Sequence, residues 1–106
     1  MALTKSFKTT IQERVQNDKK FRRALLTEAM ESFSSGDVDT SKALMKDYIN
    51  AAHGVQKVAD LIEVDPKSLH RMLGPKGNPT IQKFSTLISV LSKLEKVNLS
   101  ISAKSR

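Results

Sequence analysis

Apolar residues recur at helical spacing in two stretches of the first half of the chain. The first stretch predicts a helix that begins near Asp18, a candidate N-cap, and ends in the turn-forming run 34–37. Its apolar face consists of Phe21, Leu25, Leu26, Ala29, Met30 and Phe33. The second stretch predicts a helix that Asp37 or Asp39 caps and that Gly54 ends. Its apolar face consists of Leu44, Met45, Tyr48, Ile49 and Ala52.

Two Asx-Pro pairs predict the starts of two more helices. Asp65 and Asn78 each offer a side-chain acceptor for an N-cap. The prolines that follow them, Pro66 and Pro79, already have the φ angle that the first helical position needs. A short helix is therefore predicted from Pro66 and a longer one from Pro79, with residues 74–77 as the connecting loop. The inward face of the longer helix is predicted to consist of Ile81, Phe84, Leu87, Ile88, Leu91 and Leu94.

The period of the apolar pattern changes after residue 96. Val97, Leu99 and Ile101 alternate with polar residues, which predicts a short, half-buried β-strand. The backbone groups of a lone strand need a partner. We therefore expect this strand to pair with a symmetry mate in a homodimer, or with a partner protein that adds a strand. A frayed tail is the alternative.

The segment between Gly54 and Gly74 has the spacing of a helix-turn-helix. Ala59 is small enough for two short helices to cross steeply where they touch. The turn is predicted over residues 63–65, and Glu63 stands at a position where many such motifs have glycine. The side chains predicted to face the core are Val58, Ile62, Val64, Leu69, Met72 and Leu73. The pattern indicates a motif whose second helix enters the major groove of DNA.

The second helix of this motif leaves four polar side chains facing outward, and these are candidate DNA contacts. Arg71 can bind guanine through two hydrogen bonds, and Ser68 can contact a base or a phosphate. Lys67 can do either as a flexible point charge, with less discrimination between bases. His70 is predicted either to contact a phosphate or to cover the surface.

Residues on both sides of this helix are candidates for contact with the DNA backbone. Gln56 and Lys57 begin the preceding helix, and Lys76 and Asn78 follow the second helix. For Asn78 we favour the role of N-cap over DNA contact. For each of these side chains the alternative is a solvated surface group.

The charge of the chain is unevenly distributed over its 106 residues, which carry a net charge of +7. Residues 1–23 contain seven Lys and Arg against two Asp and Glu, residues 24–63 contain three against seven, and residues 64–106 contain eight against two. The basic ends suit a polyanion such as nucleic acid, and the acidic middle suits a basic protein.

The composition excludes some classes of protein. The chain has no cysteine, so a disulfide framework and a thiolate metal site are excluded. No apolar run has the length of a signal peptide core or of a membrane helix. We therefore expect a cytoplasmic protein that does not contact a membrane.

Candidate catalytic chemistry is missing from the sequence. His53 and His70 are separated by 17 positions, and no cluster of histidine and carboxylate residues has metal-ligand spacing. The run Gly-Pro-Lys-Gly-Asn over residues 74–78 does not have the spacing of a phosphate-binding loop. We therefore expect no enzyme activity and no cofactor.

Three runs of the sequence resemble the XRE-type (Cro/repressor-like) helix-turn-helix antitoxins, in particular the addiction-module antidote proteins related to HigA. They are Gly-Val-Gln-Lys-Val-Ala-Asp-Leu-Ile over residues 54–62, Lys-Ser-Leu-His-Arg-Met-Leu over residues 67–73, and Gly-Asn-Pro over residues 77–79. The resemblance extends over about residues 15–101. One departure is His70, where tyrosine is common in that family.

The resemblance implies a lambda-repressor-like, all-α helical bundle with a helix-turn-helix, extra N-terminal helices and a short C-terminal β-strand. We expect residues 1–36 to form an N-terminal arm and helices that pack on the core. Residues 37–106 are expected to form the DNA-binding domain with its strand. The arm is expected over residues 1–8, and a short helix over residues 10–16.

The resemblance also implies a function in a toxin-antitoxin module. Such proteins neutralise a RelE-like toxin and repress their own operon, and a homodimer of this kind binds a palindromic operator in double-stranded DNA. The acidic face of the helices between Glu28 and Asp47 is one candidate toxin contact, and the C-terminal strand is the other. Two alternatives stay open: a stand-alone, phage-like regulator without a toxin, and a helical protein-interaction module that does not bind DNA.

Overall fold

The chain folds into α-helices joined by short loops. The computed structural model describes Glu13 and residues 17–105. Over residues 17–105 the helices are α1 (Lys19–Ser34), α2 (Val38–Ala52), α3 (Val55–Leu61), α4 (Pro66–Met72) and α5 (Ile81–Glu95). The all-α class is thereby confirmed. The arm predicted over residues 1–8 lies outside the described residues, as does the short helix predicted over residues 10–16, apart from Glu13.

Carboxylate side chains begin three of the helices as predicted. Asp18 accepts a hydrogen bond from Phe21 N at 3.1 Å at the start of α1. Of the two candidates for α2, Asp37 is the N-cap, and its Oδ1 accepts from Thr40 N at 3.1 Å. Asp65 caps α4. Each of these acceptors satisfies a backbone N–H that has no partner within its own helix.

The start of α5 differs from the prediction. The N-cap is Thr80, whose side chain accepts from Lys83 N at 3.1 Å, and the helix begins at Ile81. Pro79 therefore lies before the cap, because the φ angle of proline suits the extended approach to a helix as well as its first turn. The predicted N-cap role of Asn78 is wrong, and Asn78 is an exposed residue of the loop.

The helices enclose one apolar core. Its buried side chains come from every helix and include part of the predicted stripes of α2 and α5. The buried residues are Leu26, Ala29, Met45, Tyr48, Ile49, Val58, Ala59, Leu69, Leu73, Phe84, Leu87 and Leu91. Burial of apolar surface on this scale is the main force that holds such short helices together.

Ile81 does not belong to the core, although its spacing placed it on the inward face of α5. The residue is 86% exposed. It occupies the first position of the helix, one turn before Phe84, where no neighbouring element covers it. The assignment of Ile81 to the core is therefore corrected, whereas Phe84, Leu87 and Leu91 are buried as expected.

The first helix crosses α2 closely and runs antiparallel to α5. Ser41 is fully buried, and its hydroxyl donates to the Ala29 carbonyl at 2.7 Å, so α1 and α2 touch through small side chains. Phe33 near the end of α1 stacks on Phe84 near the start of α5, with ring centroids 4.9 Å apart. Arg22 near the start of α1 meets the end of α5. The two helices therefore run in opposite directions.

A buried polar cluster joins α1, α2 and α5. Glu95 is 4% exposed and accepts from Arg22 Nε at 2.9 Å and from the Tyr48 hydroxyl at 2.6 Å. The hydroxyl of Tyr48 has a single hydrogen, and it donates this hydrogen to Glu95. The contact of 2.9 Å between Tyr48 and His53 Nε2 is therefore made by the imidazole N–H, which donates to the phenol oxygen.

The cluster changes the acidity of its members. Burial raises the pKa of Glu95, but the hydrogen bonds from Arg22 and Tyr48 outweigh burial and hold this pKa below its ordinary value. Burial lowers the pKa of His53, and the Lys57 ammonium lowers it further. The cluster therefore favours an ionised glutamate beside a neutral histidine.

The strand predicted from Val97 is not confirmed. Within the described residues, the segment 97–105 has no regular secondary structure and no strand beside it. Leu99 packs against the core, whereas Ile101 is exposed. A ladder requires a second strand, and the described part of one chain offers none.

No helix among the described residues is both long enough and apolar enough to cross a membrane.

Candidate nucleic-acid interface

The pair α3 and α4 is joined by a tight turn over residues 62–65. Val58 and Ala59 of α3 are fully buried, and Leu69 of α4 is 1% exposed. The turn is closed by two backbone hydrogen bonds, from Glu63 N to the Asp60 carbonyl and from Val64 N to the Ala59 carbonyl. The apolar contacts fix α4 on the core by one face and leave the other face to solvent.

Glu63 adopts a left-handed backbone conformation in this turn. Its φ angle is 59°, in the left-handed region that is unfavourable for residues with a Cβ. Glycine adopts this conformation without strain, so a glycine at position 63 would fit the same turn.

The side chain of Asp65 fixes the start of α4. Its Oδ1 accepts from Lys67 N at 3.1 Å, and its carbonyl accepts from Leu69 N at 3.0 Å. Pro66 stands at the first helical position, where a missing N–H costs nothing. The helix therefore begins at a defined residue, and the side chains of its first turn have a defined direction.

All eight candidate side chains are exposed, and half of them meet in one groove. The groove lies between α4, the loop after it and the start of α5, and its volume is about 320 Å³. It contains four of the candidates, namely Ser68, Arg71, Lys76 and Asn78. Thr80 and Lys83 also line it. We call this site the cationic groove, after Arg71, Lys76 and Lys83.

The other four candidates lie outside the cationic groove. Lys67 and His70 are exposed on α4. Gln56, in the first turn of α3, donates to Asp60 Oδ1 at 3.0 Å. Lys57 follows it and is exposed. These four side chains are exposed and do not line the cationic groove.

Two residues of this region were missed in the sequence. Lys83 follows the N-cap Thr80 by three positions, so it could have been found once Thr80 rather than Asn78 was recognised as the cap. Lys42 of α2 is 4% exposed, and its Nζ donates to the carbonyls of Gly74 and Gly77. The signal for Lys42 was its position on the apolar face of α2, three residues before Met45.

The loop after α4 packs directly on the end of that helix. Gly74 N donates to the Arg71 carbonyl at 3.1 Å, and Gly77 N donates to the Gly74 carbonyl at 3.0 Å. A Cβ at Gly77 would overlap the carbonyl oxygens of Arg71 and Met72. Glycine is therefore required at position 77 by close approach of two backbone segments.

Among the described residues, no three His, Asp or Glu side chains are grouped closely enough to hold a metal ion. Comparison with protein-family models, with curated proteins and with solved structures finds no match to the chain.

Proposed function

We propose that this chain is a sequence-specific DNA-binding repressor that reads the major groove with α4. The observation that carries the proposal is the exposed face of α4, capped by Asp65 and bordered by the cationic groove. An α-helix with its side chains is about 10–12 Å across, which fits a major groove about 12 Å wide. The three cations of the groove, Arg71, Lys76 and Lys83, supply positive charge for a phosphate backbone.

The side chains of this face divide into base contacts and phosphate contacts. Arg71 has the planar, two-pronged donor set that binds the O6 and N7 atoms of guanine. Lys76 in the loop and Lys83 in the first turn of α5 supply point charges for phosphates. Lys67 and Ser68 occupy the first turn of α4, from which side chains reach base edges.

The test compares Arg71→Ala with Lys76→Ala on a duplex selected from randomised DNA by the wild-type protein, and on a shuffled version of it. We expect Arg71→Ala to cost about 1–3 kcal/mol on the selected duplex and much less on the shuffled one. Lys76→Ala should weaken binding to both and lower the salt slope by about one unit. Equal losses on both duplexes for Arg71→Ala, or an unchanged salt slope for Lys76→Ala, contradict these assignments.

We also propose that the DNA-binding form is a homodimer. A two-fold axis would set two copies of α4 about 34 Å apart, one turn of B-DNA, on a palindromic operator. The candidate contact is the apolar groove of about 460 Å³ lined mainly by Phe33, Val38, Pro79, Ile81, Phe84 and Ile88. Asn78 and Pro79 line both this groove and the cationic groove, so a second copy seated here lies beside the DNA-reading face. Pairing of residues 97–101 into a strand on assembly remains part of this proposal.

Light scattering on the purified protein tests the dimer. Ile81→Lys should shift a dimer to monomer, because a buried, unpaired ammonium is costly at an interface. Leu61→Lys is the matched control, since Leu61 is an exposed apolar residue that does not line the apolar groove. A wild-type monomer at all concentrations, or a dimer that Ile81→Lys does not disturb, contradicts this assignment.

The proposed antitoxin role rests on the resemblance to the HigA-related proteins, and a RelE-like toxin is the proposed partner. Exposed carboxylates on α1 and α2, among them Glu28, Glu31 and Asp47, offer a surface suited to a basic protein. Co-expression with a small basic protein encoded beside this chain should rescue growth and yield a stable complex. DNA binding without such a partner favours a stand-alone regulator, and absence of salt-dependent DNA binding favours a protein-interaction module.

A further inference from the structure

Lys42 is a buried cation that no step of the proposed DNA recognition uses directly. It lies on α2, and its Nζ donates to the Gly77 carbonyl at 2.8 Å and to the Gly74 carbonyl at 3.0 Å. The third direction of the ammonium faces Asp39, whose Oδ1 is 3.6 Å away. A buried ammonium is tolerated only when its donors are satisfied, and here the loop after α4 supplies the two short contacts.

These contacts leave the loop 74–77 little freedom. Lys42 binds the loop from the side of α2, while Gly77 abuts the last carbonyls of α4 so closely that no Cβ fits between them. Gly74 N is at the same time bonded to the Arg71 carbonyl. The loop is thus held between a cation on one side and the end of α4 on the other.

The loop carries one side of the cationic groove. Lys76 lies between the two glycines whose carbonyls Lys42 binds, and Arg71 lies in the last turn of α4. The relative position of a base-reading side chain and a phosphate-binding side chain therefore depends on a residue that touches neither base nor phosphate. A misplacement of about 1 Å in such a constellation is enough to weaken recognition.

We propose that Lys42 is a positioning residue for DNA recognition: its ammonium fixes the loop 74–77 against the end of α4, so that Arg71 and Lys76 engage one duplex together. This inference rests on the proposed function. It predicts a loss of discrimination between DNA sequences rather than a loss of general affinity for DNA, which a removed surface charge would produce.

The test uses full-length Lys42→Met, with Lys93→Met as the matched control. Lys93 is exposed on α5, outside the cationic groove, so the control removes the same charge without touching the loop. Affinities are measured for the duplex selected by the wild-type protein and for its shuffled version. Amide hydrogen exchange of residues 74–77 is measured on the free proteins.

We expect Lys42→Met to lose roughly tenfold in affinity for the selected duplex, the size of one weakened base contact. Its affinity for the shuffled duplex should fall no further than that of Lys93→Met. The amide of Gly77, bonded to the Gly74 carbonyl in the wild type, should exchange faster in Lys42→Met alone.

The inference is overturned if a folded Lys42→Met keeps the selectivity of Lys93→Met, or if the exchange of residues 74–77 is unchanged. Should Lys42→Met fail to fold, Lys42→Gln, which keeps a donor but is too short for both carbonyls, is judged by the same two criteria. A wild-type protein that prefers no duplex contradicts the proposed function instead. Faster exchange in Lys42→Met would then show that Lys42 orders the loop but has no role in DNA recognition.

Discussion

Glu63 has an unusual backbone angle in the turn that joins α3 and α4. Its φ angle of 59° is stable only because the turn between α3 and α4 is closed on both sides by hydrogen bonds. We expect Glu63→Gly to raise the free energy of unfolding by about 1 kcal/mol, since glycine adopts this conformation without strain. Urea denaturation measures the change.

Two controls accompany the Glu63 variant. Lys96 ends α5 with the same φ angle of 59°, so Lys96→Gly should also stabilise the protein. Lys93→Gly, inside α5, should destabilise it by about 1 kcal/mol, the ordinary cost of glycine in a helix. A destabilised Glu63→Gly would mean that contacts of the glutamate side chain outweigh the backbone strain.

Among the elements, α4 depends strongly on its cap. It has only about two turns, so few other hydrogen bonds hold its first turn in place. Asp65→Ala removes the acceptor for Lys67 N and should lower the free energy of unfolding by about 1 kcal/mol. Because the cap also directs the first turn of α4, selectivity for the selected duplex should fall with it. Denaturation and DNA titration measure the two effects separately.

Asp37→Ala is the matched control for the cap of α4. Asp37 caps α2 through a hydrogen bond from Thr40 N and also accepts from the Thr40 hydroxyl at 2.7 Å. It lies far in sequence from α4. A similar loss of stability with unchanged DNA selectivity is expected. If both variants lose selectivity equally, the effect comes from stability alone and not from the direction of α4.

The elements were largely predictable from sequence, and the exception has a local cause. Periodicity and carboxylate caps correctly gave the starts of α1, α2 and α4, since these signals act within one turn of chain. At α5 two candidate caps, Asn78 and Thr80, stand on either side of a proline that is compatible with both. The local preferences of these residues therefore did not indicate which of the two is the N-cap.

For the whole molecule, the cluster around Glu95 couples the packing of three helices to pH. The lowered pKa of His53 means that the unfolded chain takes up a proton first as the pH falls through the ordinary value of 6.5. The lowered pKa of Glu95 has the same sign below its ordinary value of 4.5. Stability should therefore fall in two stages on acidification, the first as the pH falls through 6.5 and the second as it falls below 4.5.

Denaturation at a series of pH values measures this dependence. His53→Gln should remove the first stage, while His70→Gln, at the exposed histidine, should leave it in place. The second stage should remain in both variants because Glu95 is intact. A first stage that survives in His53→Gln would assign it to another group.

The contacts between distant parts of the chain were the least predictable feature. Arg22 and Glu95 form a partly buried ion pair, and Lys42 binds carbonyls of a loop far along the chain. No periodicity links such partners, because the fold rather than the local sequence brings them together. The exposed candidates of α4 were foreseeable, whereas the residue that holds their loop was visible only as a cation on an apolar face.

The brevity of α4 has a consequence for control of the protein in the cell. An isolated helix of seven residues has no stable existence in water, where about 12–15 residues are the minimum. The α4 helix therefore exists only in chains whose core is assembled. Under the proposed function, a protease that removes unfolded chains would set the concentration of protein able to bind DNA.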